Sequence, residues 1–196
     1  WGSFELVVMR DATVALGKQS GAMTAAYWPW LATLIWGSLI LLLMSGNMTT
    51  LVRRIISRVA LPLVIVSLLW LSWQFLTMAS TTGFAVLLSR EGTGGMSMLS
   101  AVDLVIAMPI SWLPLVADYA RHGKSGKSAL TGAWTGFALA NIWCYSLGVL
   151  VALTLPSEDL VTALLLAHGG LIALSLILLD EVDNAYGDAY SGAMSA

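Results

Sequence analysis

Apolar residues fill five long runs of the chain, and polar residues collect in the gaps between them. The runs are Trp28 to Met44, Val59 to Ala79, Met98 to Ala120, Ala129 to Leu155 and Leu160 to Leu179. A helix needs roughly 20 apolar residues to cross about 30 Å of hydrocarbon. Each run is too long and too uniformly apolar for a core strand, so the pattern predicts membrane-embedded helices. The opening stretch WGSFELVVMRDATVALG looks like the tail of a further helix. The closing stretch DEVDNAYGDAYSGAMSA keeps the helical period through Ala185, Gly187, Ala189, Ser191, Gly192 and Ala193, with no stop signal. Both ends are therefore expected to be cut inside helices, leaving residues 1–196 as a single transmembrane domain truncated at both ends.

The fifth run has two readings. In one, Leu160 to Leu179 crosses the membrane and DEVDN is an exposed loop. In the other, a short surface helix ends at His168, Gly169 and Gly170 break the chain, and a span begins near Leu171. The second reading puts Asp180, Glu181, Asp183, Asn184 and Asp188 at membrane depth, where such residues line a cavity or bind an ion. The residues alone leave both open.

Composition supports lipid as the solvent: of 196 residues, 58% are hydrophobic and 10% charged, with nine Trp, against about a quarter charged in soluble domains. The net charge of −2 and the lack of a basic patch argue against nucleic acid. A lone Cys144 excludes a disulfide framework and a cysteine metal site. Arg53, Arg54 and Arg58 follow the run that ends at Met44, and Arg121, Lys124 and Lys127 follow the run that ends at Ala120. The bias of basic residues toward the inside makes both loops cytoplasmic. The loops around Arg90 and around Glu158 and Asp159 then lie outside, and the alternation is consistent along the chain.

Three groups of residues carry candidate chemistry. Pro109 and Pro114 remove backbone donors, so the helix from Met98 should kink or open around Met108 to Pro114. A proline kink used for packing is one reading, and a discontinuous helix forming half of a binding site is the other. Asp118 and Arg121 have the spacing of a helical pair. Trp1 and Glu5 are four residues apart and share a helix face, as do Asn184 and Asp188. An aromatic face beside a hydrogen-bonding side chain suits a planar heterocycle. The other Trp residues, such as Trp28, Trp30, Trp36, Trp70 and Trp73, read as interface belts or packing.

WGSFE, SWLPLVADYARHGKS and LLDEVDNAYGDAYSGA together resemble the third, sixth and eighth helices of the nucleobase:cation symporter family, which carries cytosine, purines, uracil, allantoin and hydantoins. The nearest resemblance is to its hydroxymethylpyrimidine branch, associated with uptake of thiamine precursors. The resemblance implies an all-α, polytopic membrane protein of the LeuT type, with two inverted five-helix repeats, of which this chain spans about helices three to eight. It favours the second reading of the fifth run. The implied function is a secondary transporter importing a pyrimidine-like molecule across the bacterial inner membrane, with membrane lipid and the small substrate as partners.

Residue by residue, the resemblance implies that Trp1 stacks on the substrate ring and that Glu5 stands where hydantoin carriers have a Gln. Asn184 and Asp188 match two polar positions, usually Asn, that face substrate. Asp183, the ion-coupling candidate, falls near the hydroxyl ligands of the family's sodium site, but the Ser and Thr pair is missing there. The coupling ion is left as Na+ or H+, with no cofactor expected. A stacking Trp that the family has on its sixth helix is replaced by Pro109, and Trp112 is the substitute. The competing reading from another class is a membrane-embedded enzyme using Asp180, Glu181, Asp183 and Asp188 as metal ligands.

Overall fold

The computed structural model describes residues 2–45, 56–90, 95–113, 116, 120 and 123–195. The elements among them are helical: α1 (Gly2–Gln19), α2 (Trp28–Ser45), α3 (Leu61–Thr82), α4 (Phe84–Leu88), α5 (Met98–Ser111), α6 (Gly126–Thr154), α7 (Leu160–Leu166) and α8 (Gly170–Ser195). A π-helical turn over Ile56–Ala60 leads into α3. Pro62 then falls in the first turn of α3, where its missing N–H has no helical partner to lose. Among the described residues, Trp28–Ser45, Arg58–Thr82 and Gly126–Thr154 are long and apolar enough to cross a membrane. The chain is an all-α membrane protein.

Local chemistry sets the boundaries. Ser97 and Ser125 cap α5 and α6 by accepting from the Ser100 and Ser128 amides, at 3.2 and 3.1 Å. Asp159 caps α7, accepting from Val161 and Thr162 amides and from the Thr162 hydroxyl at 2.6 Å. These Thr162 bonds, side chain first and then backbone, hold the Asp159 carboxyl below the usual carboxylate range. The fifth apolar run follows the second of its two readings: α7 stops at Leu166 and α8 begins at Gly170. Gly169 has φ +74°, a conformation that side chains disfavour, and a Cβ on Gly170 would collide with the Leu164 carbonyl. The run Met98 to Ala120 is not described as one continuous helix, because α5 ends at Ser111.

α8 is the central element. Leu174, Leu178, Val182 and Ala185 on one side pack with Met9 and Ala12 of α1 and Ile40 of α2. Ala173 on another side joins Leu71 and Phe75 of α3, Leu147 and Val151 of α6 and Ala163 of α7. Half-buried indoles join neighbouring helices through hydroxyls. Trp36 Nε1 donates to Thr13 Oγ1 at 2.9 Å between α2 and α1, and Trp143 Nε1 donates to Ser72 Oγ at 2.9 Å between α6 and α3. Trp28 lies against Tyr27, while Trp30 and Trp73 are exposed.

The start of α8 is clamped from α3. Gln74 Nε2 donates to the His168 carbonyl at 2.7 Å, and its Oε1 accepts from the His168 amide at 2.8 Å. Trp70 Nε1 donates to the same carbonyl at 2.8 Å. The peptide at the α7–α8 break therefore has both its polar groups paired by side chains, where no helix pairs them.

Candidate functional site

Glu5 stands in line with Met9 and Ala12, four and seven residues on, along the buried face of α1. Helical spacing alone thus directs a carboxylate into the seam with α8. The contact is close at this level: a Cβ on Gly2 would meet Asp188 Cβ at 3.7 Å. Glu5 is 6% exposed, and its Oε2 has no hydrogen-bond partner among the described residues. The carboxylates of Asp188 and Glu181 act on it across the seam.

On α8, Glu181, Asn184 and Asp188 are spaced by three and four residues and share one helix face. Asn184 Nδ2 donates to Glu181 Oε2 in a long bond of 3.5 Å. All three are half-buried. The seam therefore assembles three carboxylates and one amide, and an ionised carboxylate only accepts hydrogen bonds. Among the described residues the one ion pair is Arg10 with Asp11, at 2.7 Å and two turns further along α1. No Lys, Arg or His among them offsets the seam. Such a site favours a cationic or donor-rich occupant.

Of the residues singled out in the sequence, Glu5, Asn184 and Asp188 are brought together here. Trp1 and Pro114 lie outside the described residues, as do Asp118, Arg53, Arg54 and Arg121. Pro109 is inside the last turn of α5, and Trp112 follows at its C-terminal end, its amide reaching the Pro109 carbonyl at 3.3 Å. The Trp112 ring lies edge-on to Phe137 of α6, with centroids 6.4 Å apart. It lines a groove with Val116, Ala120, Ala129 and Ala133, so its surroundings belong to the α5–α6 side and not to the α1–α8 seam.

Glu181, read from the sequence as a polar residue at membrane depth and as a metal ligand, is not among the substrate-facing residues that the resemblance implies. Its spacing of three from Asn184 and seven from Asp188 was the available signal. The metal-enzyme reading needs Asp180, Glu181, Asp183 and Asp188 to converge, and the helix opposes it: Glu181 and Asp183, two residues apart, project from nearly opposite sides of α8. Among the described residues no three His, Cys, Asp or Glu side chains are placed to hold a metal ion.

Residues 6–179 match the family model described as permease for cytosine/purines, uracil, thiamine, allantoin. No curated protein and no solved structure matches the chain. The matched stretch begins just after Glu5 and ends just before Asp180, so it covers the scaffold of the seam while the polar residues lie at its two margins.

Proposed function

The chain belongs to the family of permeases for cytosine/purines, uracil, thiamine and allantoin, and from that premise we propose that it is a secondary transporter. It imports a planar, donor-rich pyrimidine, with hydroxymethylpyrimidine as the type substrate, across the bacterial cytoplasmic membrane by cation symport. The arrangement would be the LeuT-type alternation of two helix repeats around a midplane site. Within it, the α1–α8 seam reads the edge of the ring, Trp1 offers a stacking face, and Pro109 and Pro114 open the helix that completes the site.

One observation carries the substrate class: Glu5, buried on the core face of α1, keeps a carboxylate oxygen without a partner opposite Asp188. A Gln at that position would donate and accept, which suits the mixed edge of uracil or a hydantoin. A carboxylate only accepts, so it suits an exocyclic amine, a protonated ring nitrogen or a hydroxyl. No covalent chemistry is required of the protein.

The test is competition for uptake by the complete protein, with aminopyrimidines, oxopyrimidines and hydantoins as competitors. Hydrogen bonds to charged groups contribute about 1.5 to 3 kcal/mol, so Glu5→Gln should weaken aminopyrimidine uptake roughly tenfold or more and affect uracil or hydantoin much less. An unchanged rank order of competitors removes the donor-edge assignment.

A further inference from the structure

Two of the candidate spans end on the same side of the molecule. α3 stops at Thr82, Gly83 turns the chain with φ +91°, and the short helix α4 comes to lie along the last turns of α6, which ends at Thr154. Between α4 and α6 runs an open groove of about 430 Å³. Phe84, Leu87 and Leu88 form one wall, and the face of α6 from Tyr145 through Val149 to Leu153 forms the other. Leu87 is buried, whereas Leu88 and Val149 are 76% and 56% exposed. The apolar walls therefore stand open on one side.

One end of the groove carries a fixed cation. Arg90 Nη1 donates to the Leu153 carbonyl at 2.6 Å, and Leu153 belongs to the wall, so the guanidinium sits where the groove ends. That is one residue before the α6 span stops, the level at which hydrocarbon gives way to head groups. The carbonyl takes one of five guanidinium N–H groups. Among the described residues no carboxylate lies within ion-pair distance of Arg90, the pair formed there being Arg10 with Asp11; Glu91, next in the chain, lies outside the described residues. Water finds no partners along apolar walls, so a groove of this kind in a membrane protein fills with hydrocarbon. From Tyr145 to Leu153 the wall runs for about 12 Å along α6, which accommodates the upper part of an acyl chain. At its end the planar guanidinium is suited to pair with two phosphate oxygens.

We propose that the α4–α6 groove is a binding site for an anionic phospholipid, with an acyl chain between the two walls and the phosphate on Arg90. A zwitterionic lipid offers the same phosphate, but its own ammonium competes for those oxygens. An anionic head group leaves its charge to the guanidinium. The lipid then joins α4 to α6 at the membrane surface, where the protein's own link between Arg90 and α6 is a single hydrogen bond. The inference rests on the chain being a membrane protein and is independent of the substrate reading.

The complete protein, purified in detergent and stripped of native lipid, tests it by native mass spectrometry with phosphatidylglycerol or phosphatidylethanolamine of identical chains. The unmodified protein should bind phosphatidylglycerol roughly fivefold more tightly, the effect of one cation at a membrane surface. Arg90→Gln keeps an N–H for the Leu153 carbonyl but removes the charge, so it should abolish that preference. Arg90→Lys should retain part of it, and Arg58→Gln, which removes an equal charge from another surface, should retain all of it. Val149→Trp fills the groove without touching the guanidinium and should weaken both lipids by roughly the same fivefold or more. If Arg90→Gln fails to fold, the lysine and tryptophan variants still decide the matter. Equal binding of the two lipids overturns the proposal, and so does a preference that survives Arg90→Gln. Unaltered lipid binding by Val149→Trp overturns it as well, because lipid then does not enter the groove. Glycerol phosphate, the head group without chains, should compete poorly; displacement of lipid at comparable concentrations would make this a phosphate site and overturn the lipid assignment.

Discussion

α8 and α5 start from similar apolar sequence and end in opposite environments. α8 buries Ala173, Leu174, Leu178, Val182 and Ala185 against helices on two sides, and it brings its carboxylates into contact with α1. α5, with Met98 81%, Leu99 82% and Leu104 63% exposed, buries none of its residues. Its described links run to α6, through the Tyr145 hydroxyl, which donates to the Val105 carbonyl at 3.2 Å, and through the Trp112–Phe137 ring contact. Apolar character therefore does not decide which helix becomes the core of a membrane protein. Lipid is as apolar as Leu, so close packing and polar contacts decide it. α8 has both, in its small residues beside α1 and α3 and in the seam.

The strongest way to break this contrast is to cut the same kind of group from each region. Phe75 is 1% exposed between α3 and its neighbours, and Phe75→Ala is expected to destabilise the fold by about 3–5 kcal/mol. Leu104→Ala on α5 should stay within about 0.5 kcal/mol, as surface substitutions do. Thermal unfolding of the two variants in detergent decides it, and equal losses would erase the distinction between the regions.

A smaller effect sharpens the account of how α8 is placed. Gln74→Leu removes both hydrogen bonds to the His168 peptide and keeps the apolar stem, leaving Trp70 as the remaining partner of the carbonyl. The two bonds lost are exposed, and each should contribute about 0.5–1.5 kcal/mol net. Amide exchange should rise first at His168 to Gly170, and unchanged protection there would show that the clamp does not hold the break.

The smallest effect concerns the cap of α7. Asp159→Ala should lower stability by about 1 kcal/mol through loss of the α7 cap. The carboxyl is held below its ordinary range in the folded chain, so its contribution is present above the ordinary carboxylate value and is lost as pH falls through the folded value. In Asp159→Ala that acid-dependent loss should disappear from unfolding measured across the range below pH about 4. A variant with the same acid dependence as the parent assigns that dependence to other carboxyls.

Much of the helix order was legible because span length is dictated by bilayer thickness. Trp28–Ser45 and Gly126–Thr154 fall within three residues of their apolar runs at each end. The break at Gly169 and Gly170 was visible as a possibility, and the helix geometry around Gln74 and Leu164 chose it. Within the site, the sharing of a face by Asn184 and Asp188 followed from their spacing, and the same spacing adds Glu181, which the resemblance did not single out. For Glu5, spacing identified a helix face but not whether that face met lipid, solvent or another helix.

The sequence by itself determined an all-helical membrane protein, its approximate spans, and the residues able to donate or accept at a planar ring, because these depend on hydrophobic length and on side-chain chemistry. Only the tertiary structure decided that α8 is the central helix, that the face of α1 carrying Glu5 is buried against α8, and that Trp112 keeps company with α6. Those are pairings between residues far apart in the chain, and periodicity along one helix carries no information about which partner its face will meet.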